Sequence, residues 1–120
     1  MRNILQIYFT DAGRRSIEVS ELDGSSRKVL VWQDLESPRA IAIDYEYGYL
    51  FFSDWGTFPR IDRSDMDGEK RSNIVTNNLG WPNGLSVDKE MKNLYWTDAK
   101  VIVMQRFHTL IISSRKTLFL

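Results

Sequence analysis

The sequence predicts an all-β protein built from a repeated four-stranded unit, and three observations support that prediction. The run of residues 7–13 returns at residues 50–56 and again at residues 94–100, which gives a repeat of about 44 residues. Within each repeat, short segments rich in β-branched and aromatic residues alternate with Gly and Pro turn signals. No segment shows the apolar periodicity that a helical repeat needs. Four antiparallel strands in roughly 40 to 45 residues are typical of one blade of a β-propeller.

One repeat is complete and predicts all four strands of a blade. These strands are Ala40 to Asp44, Tyr49 to Asp54, Arg60 to Ser64 and Ser72 to Thr76. The Asp67-Gly68 pair before the last strand predicts a hairpin turn, in a loop that can exceed two residues. The flanking sequence matches three strands of one neighbouring blade and two strands of another. We therefore predict a partial propeller with one complete four-stranded blade and parts of two neighbours.

Composition excludes several classes of function. The 120 residues include 16 Lys+Arg and 16 Asp+Glu, so the formal net charge is zero and no basic surface for nucleic acid is indicated. With no Cys and one His, the chain has no disulfide framework, thiolate zinc site or two-His metal site. No apolar run reaches the roughly 18 residues of a membrane span. The first seven residues do not resemble a secretory signal.

The chain divides at about Lys100 into a repeat region, residues 4–100, and a divergent tail, residues 101–120. All 16 acidic residues precede the division, whereas the tail carries Arg106, Arg115 and Lys116 and no acid. The tail lacks the strand and Asp-Gly turn that the repeat would place there. We interpret it as sequence foreign to the repeat, with strand-like runs at Val101 to Met104 and Leu110 to Ile112.

Strand order predicts that three loops meet on one rim of the propeller. In an antiparallel blade, the linker into the first strand and the turn between the second and third strands lie at the same end. Pro38-Arg39, the loop of residues 55–59 and the segment of residues 81–84 therefore share one rim. This rim carries aromatic side chains, one Arg and one Asn.

The repeated motif, which reads YFTD, FFSD and YWTD, resembles the Tyr-Trp-Thr-Asp repeats, or class B repeats, of the low-density lipoprotein receptor family. The intervening PRAIAID, DWGTFPRIDRSDMDG and LGWPNGLSVD are most similar to the Wnt co-receptors of this family, with megalin and receptor-related protein 4 as close alternatives. The resemblance implies a six-bladed propeller on the extracellular side of a cell-surface receptor. It further implies secreted protein partners, such as Wnt proteins or their antagonists, with signalling or endocytosis as the outcome and no cofactor or catalysis.

Four residues match ligand-face positions of that family: Arg39, Trp55, Trp81 and Asn83. Family members often bind an Asn-containing peptide loop there. The Asn83 amide has both a donor and an acceptor for a ligand amide, the two Trp rings offer rigid apolar area, and Arg39 offers a charged donor. Arg39 could equally bridge two blades, and the sequence leaves both roles open.

Asp11, Asp54 and Asp98 occupy the same place in each repeat. A carboxylate ring for a metal or for acid–base chemistry is one interpretation, but a residue repeated with the fold is expected to serve the fold. We therefore predict that each accepts hydrogen bonds that tie neighbouring blades together, and we predict no metal site. Asp44 and Asp88 are interpreted as turn formers.

Two further tryptophans, the single histidine and two alternative classes of protein complete the sequence predictions. Trp32 and Trp96 lie in or beside strand patterns and are predicted to be core residues, while His108 is predicted to be incidental. A six-bladed propeller hydrolase or small-ligand binder would need a converging set of acid and amide ligands, which the sequence does not identify. A third possibility is a chain with no function of its own, because at least three repeats are usually needed for stability. If the chain has no function of its own, we expect the isolated chain to aggregate or fold poorly. A sharp, reversible melting transition of a monomer would contradict that expectation.

Overall fold

A computed structural model describes residues 5–88, 90 and 93–100, and over these residues the chain forms three antiparallel sheets. Blade 1 has strand order β1-β2-β3, blade 2 has β4-β5-β6-β7, and blade 3 has β8-β9. The strands are β1 (Gln6–Asp11), β2 (Ser16–Glu21), β3 (Lys28–Val31), β4 (Pro38–Asp44), β5 (Tyr49–Asp54), β6 (Arg60–Asp65), β7 (Ser72–Val75), β8 (Pro82–Asp88) and β9 (Asn93–Asp98). The all-β prediction is confirmed, including the complete central blade. The tail and His108 lie outside the described residues.

Side-chain alternation along β5 builds the two cores between blades. Successive residues of a strand point to opposite faces of the sheet. Leu50 and Phe52 accordingly pack with Ile17 and Val19 of blade 1, whereas Phe51 packs with Trp96 of blade 3. β5 is therefore buried on both faces, and it is hydrophobic in the consecutive positions 50, 51 and 52.

A hydroxyl of the repeated motif joins each blade to the next. The Thr10 hydroxyl donates a hydrogen bond to the Arg39 carbonyl at 2.8 Å. The Ser53 hydroxyl donates to the Pro82 carbonyl at 2.8 Å, and it accepts a bond from the Ala40 amide within its own blade at 3.0 Å. Both bonds reach the innermost strand of the following blade, a role of the third motif residue that the sequence analysis did not assign.

The prediction of two core tryptophans is half right. Trp96 is buried in the core between blades 2 and 3, as predicted. Trp32 is 64% exposed, so its assignment to the core is wrong. The reason is its position, since β3 ends at Val31 and Trp32 begins the linker that leaves the outer edge of blade 1.

Candidate functional site

The rim predicted from strand order brings side chains from separate blades together. The rings of Trp55 and Trp81 lie with their centroids 6.1 Å apart, at an angle of 56°. The Arg39 guanidinium lies over the Trp55 ring, with its central carbon 4.1 Å from the ring centroid. We call Arg39, Trp55, Trp81 and Asn83 the rim site. Three of its four members are in one contiguous stack, which is the aromatic and cationic surface that the sequence analysis expected there.

The rim site borders a groove between blades 2 and 3. Trp81 is 43% exposed, and the Lys100 ammonium lies 5.8 Å from its ring centroid. The groove is lined by Trp55, Gly56, Thr57, Pro59, Leu79, Gly80, Trp81 and Lys100. Cations over aromatic faces are attracted by the ring quadrupole, so each Trp is oriented by a neighbouring cation while part of Trp81 faces solvent.

Asp54 fixes the backbone around Trp55. Its carboxylate accepts hydrogen bonds from the amides of Glu36 at 2.7 Å, Ser37 at 3.0 Å and Gly56 at 2.8 Å. The Trp55 amide itself donates to the Ser37 carbonyl at 3.1 Å. The linker into blade 2 and the loop that carries Trp55 are thereby held to one buried carboxylate.

Asp98 does the same for Trp81 in blade 3. Its carboxylate accepts hydrogen bonds from the amides of Gly80 at 2.7 Å, Trp81 at 3.0 Å and Lys100 at 3.0 Å. The Ala99 amide donates to the Trp81 carbonyl at 3.1 Å. Two aspartates of the repeat therefore position the two tryptophans of the rim site. Asp11, at the same place in blade 1, accepts a bond from the Arg14 amide at 2.9 Å.

Two glycines allow the loops of the rim to approach so closely. A Cβ at Gly56 would lie 2.6 Å from the Glu36 Cβ, and a Cβ at Gly80 would lie 2.6 Å from the Lys100 Cβ. Separations of that size are well inside van der Waals contact. These positions are therefore restricted to glycine by close packing and not by backbone conformation.

Asn83 lies on the same rim but makes a different contact. A register shift at the start of β8, between Pro82 and Gly84, places it at an irregularity of the strand. Its side-chain carbonyl accepts a hydrogen bond from the Thr97 hydroxyl at 2.9 Å. An amide oxygen has two lone pairs, so this bond orients the amide and leaves capacity for a ligand donor.

A repeated acid–arginine pair is the feature that the sequence analysis missed. In blade 2, the Arg71 guanidinium donates to the buried Asp62 carboxylate at 2.8 Å, to the Gln33 carbonyl at 2.6 Å and to the Asp34 carbonyl at 2.8 Å. Arg60 also donates to the Asp34 carbonyl. The pair thus fastens the linker between blades 1 and 2 to the sheet of blade 2.

In blade 1, Glu18 and Arg27 occupy the repeat positions of Asp62 and Arg71. Arg27 donates to the Glu18 carboxylate at 2.5 Å and 3.1 Å. These bonds are the main cause that lowers the pKa of Glu18 to about 2. The signal was present in the sequence, because an acid and an Arg nine residues later recur at the same repeat positions.

The described residues form neither a candidate metal centre nor a candidate membrane span. Within residues 5–88, 90 and 93–100, no group of three His, Cys, Asp or Glu side chains is arranged to hold a metal ion. In the same part of the chain, no helix has the length and hydropathy needed to cross a bilayer.

Known proteins share this repeat. The profile of the low-density lipoprotein receptor repeat class B family matches residues 6–45 and 48–89. The chain is similar to low-density lipoprotein receptor-related protein 5 of Mus musculus, with 54% identity over 54 residues that cover 45% of this chain and 3% of that protein. With the Homo sapiens protein of the same name, identity is 62% over 40 residues, which is 33% of this chain and 2% of that protein.

A shorter relative and a solved structure also share this repeat. The low-density lipoprotein receptor-related protein 5-like protein of Homo sapiens is 44% identical over 57 residues, which is 48% of this chain and 23% of that protein. A chain in the crystal structure of a nidogen/laminin complex superposes with a TM-score of 0.77 at 40% identity, covering 80% of this chain and 37% of that one. This chain thus spans a small part of each relative. It belongs to the low-density lipoprotein receptor class B repeat family and forms part of a β-propeller of that family.

Proposed function

We propose that this chain is a protein-binding part of an extracellular receptor propeller, and that the rim site contacts a secreted protein ligand. The observation that carries the proposal is the stack of Arg39, Trp55 and Trp81, contributed by the start of β4 and by two loops and packed at 4.1 Å and 6.1 Å. A cation and two aromatic rings on an open rim match the side chains that dominate protein-binding hot spots. Neither of the two cores between blades, as described, includes these three residues.

The chemistry of the rim site fits a peptide loop that contains Asn. The Trp rings offer flat apolar area that loses little conformational entropy on binding, because the repeated aspartates already fix their backbones. Arg39 supplies a charged donor to a backbone carbonyl or acid of the ligand. Asn83 supplies an amide donor and a second acceptor lone pair to the side-chain amide of a ligand Asn.

The relatives support a receptor role. Three of them are low-density lipoprotein receptor-related proteins or a protein like them, and the superposed structure comes from a protein–protein complex. We propose a cell-surface, extracellular location and, as the finer assignment, Wnt co-reception with Wnt proteins or their antagonists as ligands. An endocytic receptor of the megalin type is the alternative within the same class.

The test is a titration of the chain with a cyclic peptide that presents Asn at its turn. Trp81→Ala and Asn83→Ala are each expected to weaken binding by about 2 kcal/mol, since each removes a direct contact. Trp32→Ala is the matched control, because it deletes an exposed Trp that lies away from the rim site. Unchanged affinity in both rim variants would contradict the proposed site.

A further inference from the structure

Asn83 is the only asparagine of this chain that precedes a glycine. The sequence has six Asn residues, and the residue after each of the other five is Ile, Asn or Leu. An Asn-Gly peptide is prone to spontaneous deamidation, because glycine has no side chain to hinder attack of its backbone nitrogen on the preceding side-chain amide. Asn83 also belongs to the rim site, so its reactivity bears on the candidate ligand-binding surface.

The strand that carries this pair departs from regular pairing at Asn83. Pro82 pairs with Asp98 and Gly84 pairs with Thr97, so Asn83 is one extra residue in β8 between two adjacent pairs. Such an extra residue is a β-bulge, and it lies outside the ladder of its sheet. The backbone at Asn83 is therefore held less firmly than it would be in a regular strand.

The side chain of Thr97 contacts both members of the pair. Asn83 is exposed to solvent, and its Oδ1 accepts a hydrogen bond from the Thr97 hydroxyl at 2.9 Å. This donor is in place for the negative charge that develops on Oδ1 when a nucleophile adds to Cγ. A Cβ at Gly84 would lie 2.6 Å from the same Thr97 oxygen, so close packing restricts position 84 to glycine.

Blade 2 has the same irregularity without the reactive pair. Arg39 and Ala40 occupy the repeat positions of Asn83 and Gly84. The register of β4 shifts between Pro38 and Ile41, as that of β8 does at Asn83. An arginine side chain has no carbonyl carbon for a backbone nitrogen to attack. Of these two described strands, only β8 combines the irregularity with a side-chain amide.

We propose that Asn83-Gly84 is a deamidation site that converts the amide of the rim site to a carboxylate. The Gly84 nitrogen attacks Cγ of Asn83 and forms the new bond of a succinimide ring. The bond from Cγ to the side-chain nitrogen breaks, and that nitrogen leaves as ammonia with the proton of the Gly84 amide. One water then opens the ring to aspartate or isoaspartate. The reaction consumes one water, releases one ammonia and needs no enzyme or cofactor.

The consequence for ligand binding rests on the proposed function. The Asn83 amide offers a donor to a ligand, whereas a carboxylate at this position only accepts hydrogen bonds and adds a negative charge. The Thr97 hydroxyl can donate to the carboxylate as it does to the amide, and a charged acceptor strengthens that bond. The rim site thus has two states of different ligand affinity, and its conversion is not reversed by the chain itself.

Mass spectrometry of the full chain tests the site. The folded chain, with protected β5 amides, is incubated at mildly alkaline pH and digested. We expect the fragment with Asn83 to gain about 1 Da, at a rate within about tenfold of that of a free peptide of residues 79–88.

Two controls accompany this measurement. The fragment with Asn73, which precedes Ile, should gain no mass. Asn83→Gln should also show no gain at position 83, because its longer side chain closes a larger and less favoured ring. An unchanged Asn83, or a rate in the folded chain more than about tenfold below that of the peptide, would overturn the proposal.

Titration with the cyclic Asn-loop peptide tests the consequence. Asn83→Asp reproduces the aspartate product and should weaken binding by about tenfold. Gln6→Glu is the matched control, because it makes the same change from amide to carboxylate at an exposed residue, at the end of β1 opposite Asp11. Its affinity should equal that of the unmodified chain.

The Trp81→Ala variant separates the two ideas. Unchanged affinity in Asn83→Asp with weakened binding in Trp81→Ala would overturn the two states and support the rim site. Unchanged affinity in both variants would overturn the proposed function and, with it, the effect on the ligand. The deamidation site itself stands or falls on the mass measurement.

Discussion

Blades 1 and 2 place matching residues in matching positions, but among the described residues only those of blade 2 contact an incoming linker. Arg71 and Asp54 each bond to the linker that enters blade 2. Arg27 and Asp11 instead contact each other, at 3.5 Å, and remain partly exposed. The difference teaches that the linker arriving from blade 1 buries and pairs the acid and the arginine of blade 2.

The linker also connects the framework of the fold to the rim. The carboxylate that holds the linker of blade 2 fixes the loop of Trp55, and its counterpart in blade 3 fixes Trp81. A residue that looks purely structural in the sequence therefore shapes the candidate ligand-binding surface. Substitutions that remove the hydrogen bonds between the linker and these carboxylates are expected to lower both stability and ligand affinity.

The largest expected effect comes from removing the arginine of blade 2. Arg71→Gln leaves the buried Asp62 carboxylate with weaker pairing and removes the guanidinium hydrogen bonds to the Gln33 and Asp34 carbonyls, so we expect a loss of about 4 kcal/mol in the free energy of unfolding. Arg27→Gln should cost less, because its guanidinium is 40% exposed against 20% for Arg71 and, among the described residues, contacts no linker. Urea unfolding of the two variants measures the comparison. Equal losses would show that the linker contacts contribute nothing.

A smaller loss of stability is expected from alanine at two glycines in equivalent turns, and it should differ between them. Gly24 and Gly68 have positive φ values of 85° and 81°, so alanine costs about 1 kcal/mol at either position for backbone reasons. A Cβ at Gly68 would also lie 2.4 Å from the Leu30 carbonyl oxygen of blade 1, whereas Gly24 has open space. We expect Gly68→Ala to cost about 3 kcal/mol in all. Thermal melting of both variants gives the difference, and identical melting temperatures would refute the interblade contact.

A third expected effect is a dependence on acid. The pKa of Glu18 is lowered to about 2 from its ordinary value of 4.5, chiefly by its hydrogen bonds from Arg27. This carboxylate therefore contributes stability that is fully present above pH 4.5 and is lost as the pH falls toward 2. The free energy of unfolding, measured across that window, should fall less steeply in Glu18→Gln than in the unmodified chain. A variant with the same slope would contradict the pairing.

Much of the fold was predictable from the sequence, because the repeat fixes strand order and strand order fixes the rims. The four strands of blade 2 were predicted within two residues of their ends. The placing of Arg39, Trp55 and Trp81 on one rim followed from connectivity, whereas the contacts between their side chains did not. The loop after Asp54 is one residue longer than its counterpart in blade 1, as the repeat offset indicated.

Three features could not be predicted, because they depend on contacts between residues that are distant in the chain or on local strand geometry. The linker carbonyls bound by Arg71 lie 37 and 38 residues away in the chain. The exposure of Trp32 depends on where the linker turns away from β3. The bond from Thr97 to Asn83 depends on a local shift of register in β8. These features need the three-dimensional arrangement of blades.

One comparison of two aspartates tests the central claim, that linker-holding residues shape a ligand-binding rim. Asp98→Asn and Asp11→Asn make the same change at the same repeat position, but only Asp98 holds a rim tryptophan. Titration with the cyclic Asn-loop peptide should show affinity reduced about tenfold in Asp98→Asn and unchanged in Asp11→Asn. Equal affinities of the two variants for the peptide would contradict the account.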